Sequence, residues 1–276
     1  MRPFILAICL IVPLLGTTLG SAMVFFLKKE INPKLQKILL GFASGVMIAA
    51  SIWSLMQPAI TSYAKGDWKA YVFPAIGFLL GVGFMLLLDY LVPHMHINKE
   101  EEGLKKDKYS KTFKMLLAVT LHNVPEGLAV GVVIASALAG QVSEQAVLAL
   151  AIGMAIQNFP EGAIVSMPLK EEGESKGKAF FYGFISGAVE PLAAGLAILI
   201  TYLVSVILPF VLAVAAGVMI YVVVEELIPE ANEGKHSNLA TIGLAVGFVL
   251  MMVLDIALGQ INIIKGLLLQ LGRPLF

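Results

Sequence analysis

What most limits this chain is a succession of apolar runs, each long enough to cross a bilayer. They are Phe4 to Leu27, Leu39 to Ala59, Tyr71 to Val92, Phe113 to Leu138, Ala146 to Leu169, Ala179 to Tyr202, Ser205 to Ile228 and Leu239 to Leu258. A helix needs about 20 apolar residues to cross the hydrocarbon core, and in lipid only helices and closed barrels satisfy every backbone N–H and C=O. Eight such runs predict an all-α polytopic membrane protein of eight transmembrane helices, a single transmembrane domain over residues 1–276. The apolar tail from Ile261 to Phe276 is too interrupted to count as a ninth. A mean hydropathy of +0.88 and only 14% charged residues separate the chain from soluble domains. Zero net charge excludes a nucleic-acid or other polyanion binder on bulk charge, and the single Cys9 excludes an internal disulfide and a cysteine-based zinc knuckle.

Lysine and arginine collect on the cytoplasmic side of a membrane protein, which orients the spans. With the N-terminus outside, fourteen of the 19 basic residues are cytoplasmic: Lys28, Lys29, Lys34, Lys37, Lys99, Lys105, Lys106, Lys108, Lys111, Lys114, Lys170, Lys176, Lys178 and Lys235. Arg2, Lys65, Lys69, Lys265 and Arg273 remain outside, so both termini are expected there. The first run has no basic segment ahead of it beyond Arg2 and is followed at once by Lys28 and Lys29, which reads as a retained span rather than a cleaved signal. The longest loop, residues 94–112, is charged, cytoplasmic and expected to be flexible.

Two runs carry an echo that lipid does not explain. His122-Asn123-Val124-Pro125-Glu126-Gly127 in span four returns as Gln157-Asn158-Phe159-Pro160-Glu161-Gly162 in span five. Consecutive spans run in opposite directions, so the copies form an inverted pair, and transporters place substrate sites at the midplane where inverted repeats and broken helices meet. His122 and Glu126 are four residues apart and share a helical face, with Asn123 about 100° away; Gln157 and Glu161 repeat the spacing. Neither Pro125 nor Pro160 can donate to the carbonyl four residues earlier, on Leu121 and Ile156, so a bare oxygen stands near each carboxylate. Imidazole, amide oxygen, carboxylate and freed carbonyl make a mixed N/O cation site, suited to zinc, iron, manganese or cadmium.

A third carboxylate, Glu190, stands in the middle of span six beside Pro191, and apart from Lys114 at the cytoplasmic end of span four no lysine or arginine lies inside any span. An acidic side chain at a helix centre costs roughly 2.5 to 3.5 kcal/mol, so three without partners cost about 8 to 10 kcal/mol. The compensating charge has to come from protons or bound cations. Two other uses of the same residues stay open at this level: amides recruited to satisfy loose carbonyls in Pro-kinked helices, and buried glutamates kept protonated as packing elements.

The double hexad resembles the ZIP (Zrt-, Irt-like) metal transporters over nearly the whole chain, and the short loops resemble their bacterial GufA-like branch. That resemblance implies eight helices in a 3+2+3 inverted-repeat arrangement, a homodimer, and a binuclear site in the transport path. One ion would be held by His122, Glu126, Gln157, Asn158 and Glu161 with a span-two methionine, the second by Asn123, Glu126, Asn158, Glu161 and Glu190. Within Gly-Phe-Ala-x-Gly-x-Met the methionine is Met47, ahead of Met56. Family members often carry Asp or His where this chain has Asn158 and Gln157, which lowers the negative charge of its site. Asp89, His94, His96, Glu225 and Glu226 resemble the family's inner exit path, while Ser54 and Asp255 lie toward the outer face as candidate entrance residues.

The expected function is therefore inward transport of a divalent transition metal across the cell (inner) membrane. Zinc is the first choice of substrate, with Cd2+, Fe2+ and Mn2+ behind it, and no catalytic cofactor or enzymatic activity is expected. A proton-driven carrier or pore for another small cation would use the carboxylates as a relay instead. An intramembrane metalloprotease would need two ligand histidines, as in His-Glu-x-x-His, and only His122 lies inside a span.

Overall fold

Helix is the one local structure that closes its own backbone hydrogen bonds inside an apolar run, and it takes nearly all of the described chain. The computed structural model describes residues 1–26, 32–91, 94–95, 101–102, 111–171, 173–203 and 207–270; side chains at 94–95, 101–102, 111–116, 118–119, 121–122, 171, 202–203 and 259–270 lie outside that description. We label the helices α1 Pro3–Phe26, α2 Pro33–Thr61, α3 Lys69–Leu91, α4 Lys111–Leu138, α5 Glu144–Glu171, α6 Lys176–Leu203, α7 Leu208–Asn232 and α8 Leu239–Gln270. Among the described residues seven of these, all but α4, contain a stretch long and apolar enough to cross a membrane, and in α4 the described apolar stretch is Asn123–Leu138.

Two boundaries differ from the sequence expectation. The last helix does not stop at Leu258 but continues to Gln270. Gln260, Asn262 and Lys265 interrupt its apolarity, yet none of them removes a backbone donor, so helicity outlasts the hydrophobic run. Inside the loop expected at 94–112, His94 pairs with Glu102 and Met95 with Glu101 in a two-residue antiparallel ladder, and α4 already begins at Lys111.

Close helix approach comes from a repeated spacing of glycines. Gly16 and Gly20 of α1 lie against Ala155 and Phe159 of α5; Gly41 and Gly45 of α2 against Ala240 and Leu244 of α8; Gly77 and Gly81 of α3 against Phe210 and Val214 of α7; Gly127 and Gly131 of α4 against Glu190 and Ala194 of α6. Both members of each pair advance together, so these are four parallel helix pairs. Without a Cβ the backbones meet directly, and dispersion and weak backbone contacts replace the hydrophobic drive that lipid removes. The α1–α5 and α4–α6 pairs join through α1 against α6 and α4 against α5, while α2 and α7 pack on the inner faces of α5 and α4.

Both α2 and α7 contain one wider turn, at Ser51–Met56 and at Val223–Leu227. Each immediately precedes an X-Pro step, Gln57-Pro58 and Ile228-Pro229. Here the N–H of Gln57 reaches back five residues to Ile52, and that of Ile228 five residues to Val223. Proline has no N–H for the usual partner carbonyl and its ring crowds that carbonyl, and the slipped register accommodates both. Such insertions often mark functional positions. These two turns carry Ser54 and the pair Glu225 and Glu226.

Elsewhere, buried hydroxyls are satisfied within their own helix. Ser44, Ser51, Ser136 and Thr201 each donate to the carbonyl four residues earlier, at 2.6–2.9 Å.

Candidate functional site

The helices run unbroken through Pro125 and Pro160, and the two hexads are drawn together by their closing glycines. Gly127 sits directly on the backbone of Glu190, and Gly162 on the Thr17 carbonyl and the Ser21 N–H of α1. Thr17 Oγ1 in turn donates to Glu190 Oε1 at 3.1 Å. Parallel pairing of α4 with α6 and of α1 with α5 thus sets Glu126, Asn158 and Glu190 around one centre.

Two different conditions meet in this centre. Each Glu190 oxygen accepts from one buried donor: Asn158 Nδ2 donates to its Oε2 at 2.7 Å and also reaches the Pro13 carbonyl at 3.3 Å, while Gln157 Nε2 donates to Asn158 Oδ1. By contrast, both oxygens of Glu126, both polar side-chain atoms of Asn123 and Oε1 of Gln157 are buried without a hydrogen-bond partner among the described residues. Glu126 is 1% exposed and Gln157 0%, so water does not compensate them from outside. Burying a carboxylate with no donor is among the most costly arrangements available to a protein unless a proton or a cation compensates it.

The other expected site residues fall into separate groups. The side chain of His122 lies outside the described residues; its backbone is one turn before Glu126 on α4. Met47 is fully buried in the central apolar core, and Met56 packs at that core's edge from the wide turn of α2. Ser54 donates to both oxygens of Asp255, at 2.9 and 3.0 Å, and both residues are buried. The two expected entrance residues are therefore a bonded pair joining α2 to α8.

Toward the ends of α3 and α7, Asp89 is buried and accepts from Tyr221 Oη at 2.6 Å. Glu226 is buried beside exposed Glu225, and Glu230 accepts from Gln36 Nε2 of α2 at 3.4 Å. His96 and the side chain of His94 lie outside the described residues. Tyr221→Phe keeps the ring and deletes one bond to a buried carboxyl, so a loss of about 1.5–3 kcal/mol is expected, read as a lower thermal unfolding midpoint of the detergent-purified protein. An unchanged midpoint would show that the α3–α7 bond contributes nothing. Among the described residues no three His, Cys, Asp or Glu side chains stand together at metal-ligand spacing; beside Glu126 this centre holds amides and a hydrogen-bonded Glu190.

A family model described as ZIP Zinc transporter matches residues 100–255, which contain both hexads, Glu190 and Asp255. The chain is 37% identical over 250 residues to zinc transporter GufA of Myxococcus xanthus, covering 89% of this chain and 96% of that protein. This chain belongs to the ZIP family. It is also 38% identical over 248 residues to zinc transporter ZIPB of Bordetella bronchiseptica, with 88% and 78% coverage. With zinc transporter ZIP11 of Homo sapiens it shares 34% identity over 322 residues, with 88% and 94% coverage.

For this ZIP protein the sequence reading missed Thr17, the Pro13 carbonyl and Tyr221. Thr17 had a signal: it lies between Gly16 and Gly20, whose small-xxx-small spacing marks a face for close helix contact. The same spacing recurs at Gly41/Gly45, Gly77/Gly81, Gly127/Gly131 and Gly243/Gly247.

Proposed function

We propose that this ZIP protein carries a divalent transition metal ion, zinc before cadmium, iron or manganese, across the cell membrane toward the cytoplasm. The ion passes through a centre between α4, α5 and α6. One position takes His122, Glu126, Gln157, Asn158 and Glu161 with Met47, and a second takes Asn123, Glu126, Asn158, Glu161 and Glu190. The observation that carries this reading is the buried, unpartnered set of Glu126, Asn123 and Gln157 atoms. All but the Asn123 amide nitrogen are lone-pair donors of the kind a borderline cation accepts.

The chain is read as one transmembrane domain in which α4 also crosses the membrane, making eight spans, with both termini outside. Exchange of α1 with α6, α2 with α7, α3 with α8 and α4 with α5 turns the α1–α5 contact into α6–α4, and α2–α8 into α7–α3. It also turns one wide turn into the other. This supports an inverted 3+2+3 repeat with the hexads across its axis. Ser54 and Asp255 border the entrance; Asp89, His94, His96, Glu225 and Glu226 line the exit. The protein's surroundings are lipid and, by resemblance to its family, a second copy.

The test is uptake of radioactive zinc into proteoliposomes by wild type, His122→Ala and Glu161→Ala. Uptake by the wild type that falls at least about 10- to 100-fold in both variants is expected, by comparison with what even outer supporting residues contribute at metal sites. Equal uptake by all three would remove the metal-site reading.

A further inference from the structure

We infer that the amide of Asn158 occupies the place of a second cation, so that the centre of this chain binds one divalent ion rather than two. The inference rests on the transport reading above and replaces one part of it: of the two positions named there only the first is filled, and Glu190 is not a ligand. Its basis is the directionality of one hydrogen-bond chain. Gln157 Nε2 donates to Asn158 Oδ1; Asn158 Nδ2 donates to Glu190 Oε2 and to the Pro13 carbonyl; Thr17 Oγ1 donates to Glu190 Oε1. Every member gives a proton toward Glu190. Turning the Asn158 amide over would set its oxygen against a carboxylate and a carbonyl, and its NH2 against the Gln157 NH2. The three bonds therefore hold a single orientation.

The consequence for cations is asymmetric. Both Glu190 oxygens already accept from a buried donor, and the Asn158 oxygen that a second ion would need is engaged by Gln157. Its release would break the bonds to Gln157, Glu190 and Pro13 together. The same chain turns Gln157 Oε1 away from Asn158 and leaves it unpartnered, together with the oxygens of Glu126 and Asn123. Free lone pairs thus belong to Glu126, Gln157 and Asn123, while Asn158 and Glu190 are engaged by protein donors. Asn158 and Thr17 act here as positioning residues that tie α1, α5 and α6 through Glu190.

A carboxylate at position 158 has no N–H to give. Against Glu190 and the Pro13 carbonyl it would face two acceptors with no donor between them, a pair that holds a proton or a cation. Asn158→Asp is therefore expected to open the second position. Full-length protein in detergent is saturated with ZnCl2, freed of loose metal, and assayed by elemental analysis. Ions at the centre are counted as zinc bound beyond that retained by Glu126→Ala, which lacks the shared carboxylate. Each variant is first matched to the wild type by circular dichroism.

One ion is expected in the wild type, two in Asn158→Asp, and one again in Asn158→Asp/Glu190→Gln. Glu190→Gln alone should keep the wild-type count. Two ions in the wild type, or one in folded Asn158→Asp, would overturn the inference and leave the transport reading standing. Should Asn158→Asp not fold, the single Glu190→Gln variant decides: an unchanged count of one supports the inference, and a fall from two to one defeats it. No zinc at the wild-type centre would overturn both readings.

Discussion

Glu126→Gln should abolish zinc uptake into proteoliposomes, by about 100-fold or more, while leaving the metal-free protein at least as stable as the wild type. The substitution keeps the shape of a side chain that is 1% exposed and exchanges its carboxylate for a neutral amide. Glu126 is shared by both proposed metal positions, so no ligand set survives its loss intact. In the metal-free protein, however, both of its oxygens lack a hydrogen-bond partner among the described residues, and an uncompensated buried carboxylate costs more than a neutral amide in the same place. Opposite movement of uptake and stability is the signature of a residue kept for a ligand at the expense of the fold. Uptake is measured with radioactive zinc, and stability by thermal unfolding after chelation. Lost uptake together with a lower unfolding midpoint would instead make Glu126 a structural residue.

Gly127→Val should prevent the α4–α6 pair from closing. A Cβ at this position would strike the carbonyl oxygen and Cα of Glu190 and the Cβ of Ala193. Two of those atoms are backbone, so no rotamer change relieves the contact and the helices must separate. Overpacked cores typically lose about 1–3 kcal/mol, and more when backbone has to move. A loss of about 3 kcal/mol corresponds to a midpoint lowered by roughly 6–12 °C in a chain of this size. Gly195→Ala on α6, where an added Cβ meets nothing within 4 Å, is the control and should stay near the wild-type midpoint. Equal behaviour of the two variants would mean that the glycine spacing does not hold the pair together. Because Gly127 adjoins Glu126 and seats on Glu190, the same variant should also lose metal binding.

The apolar runs made the class of fold legible, since length and hydropathy alone decide whether a helix can sit in lipid. The hexads marked a polar centre for an equally local reason: Asn123, Glu126, Asn158 and Glu161 are out of place in an apolar helix whatever surrounds them. Periodicity said less about where helices end. Breaks in apolarity at Gln260 and Lys265 do not break a helix, and the last helix runs to Gln270.

Which helices touch was decided by tertiary structure, because lipid and protein interiors are equally apolar and hydropathy does not distinguish the face toward a neighbour from the face toward lipid. Packing of α1 against α6 brought Thr17 to Glu190 across 173 residues of chain. The register slips before Pro58 and Pro229 set Ser54 in α2, which bonds Asp255, and Glu226 in α7. Most of all, sequence determined that Glu126, Asn158 and Glu190 are polar and need partners. The fold decided that Glu190 finds its partners in Thr17 and Asn158, while Glu126 finds none among the described residues. A hydrogen bond depends on direction and on distance across helices, and neither is written in the order of residues along one.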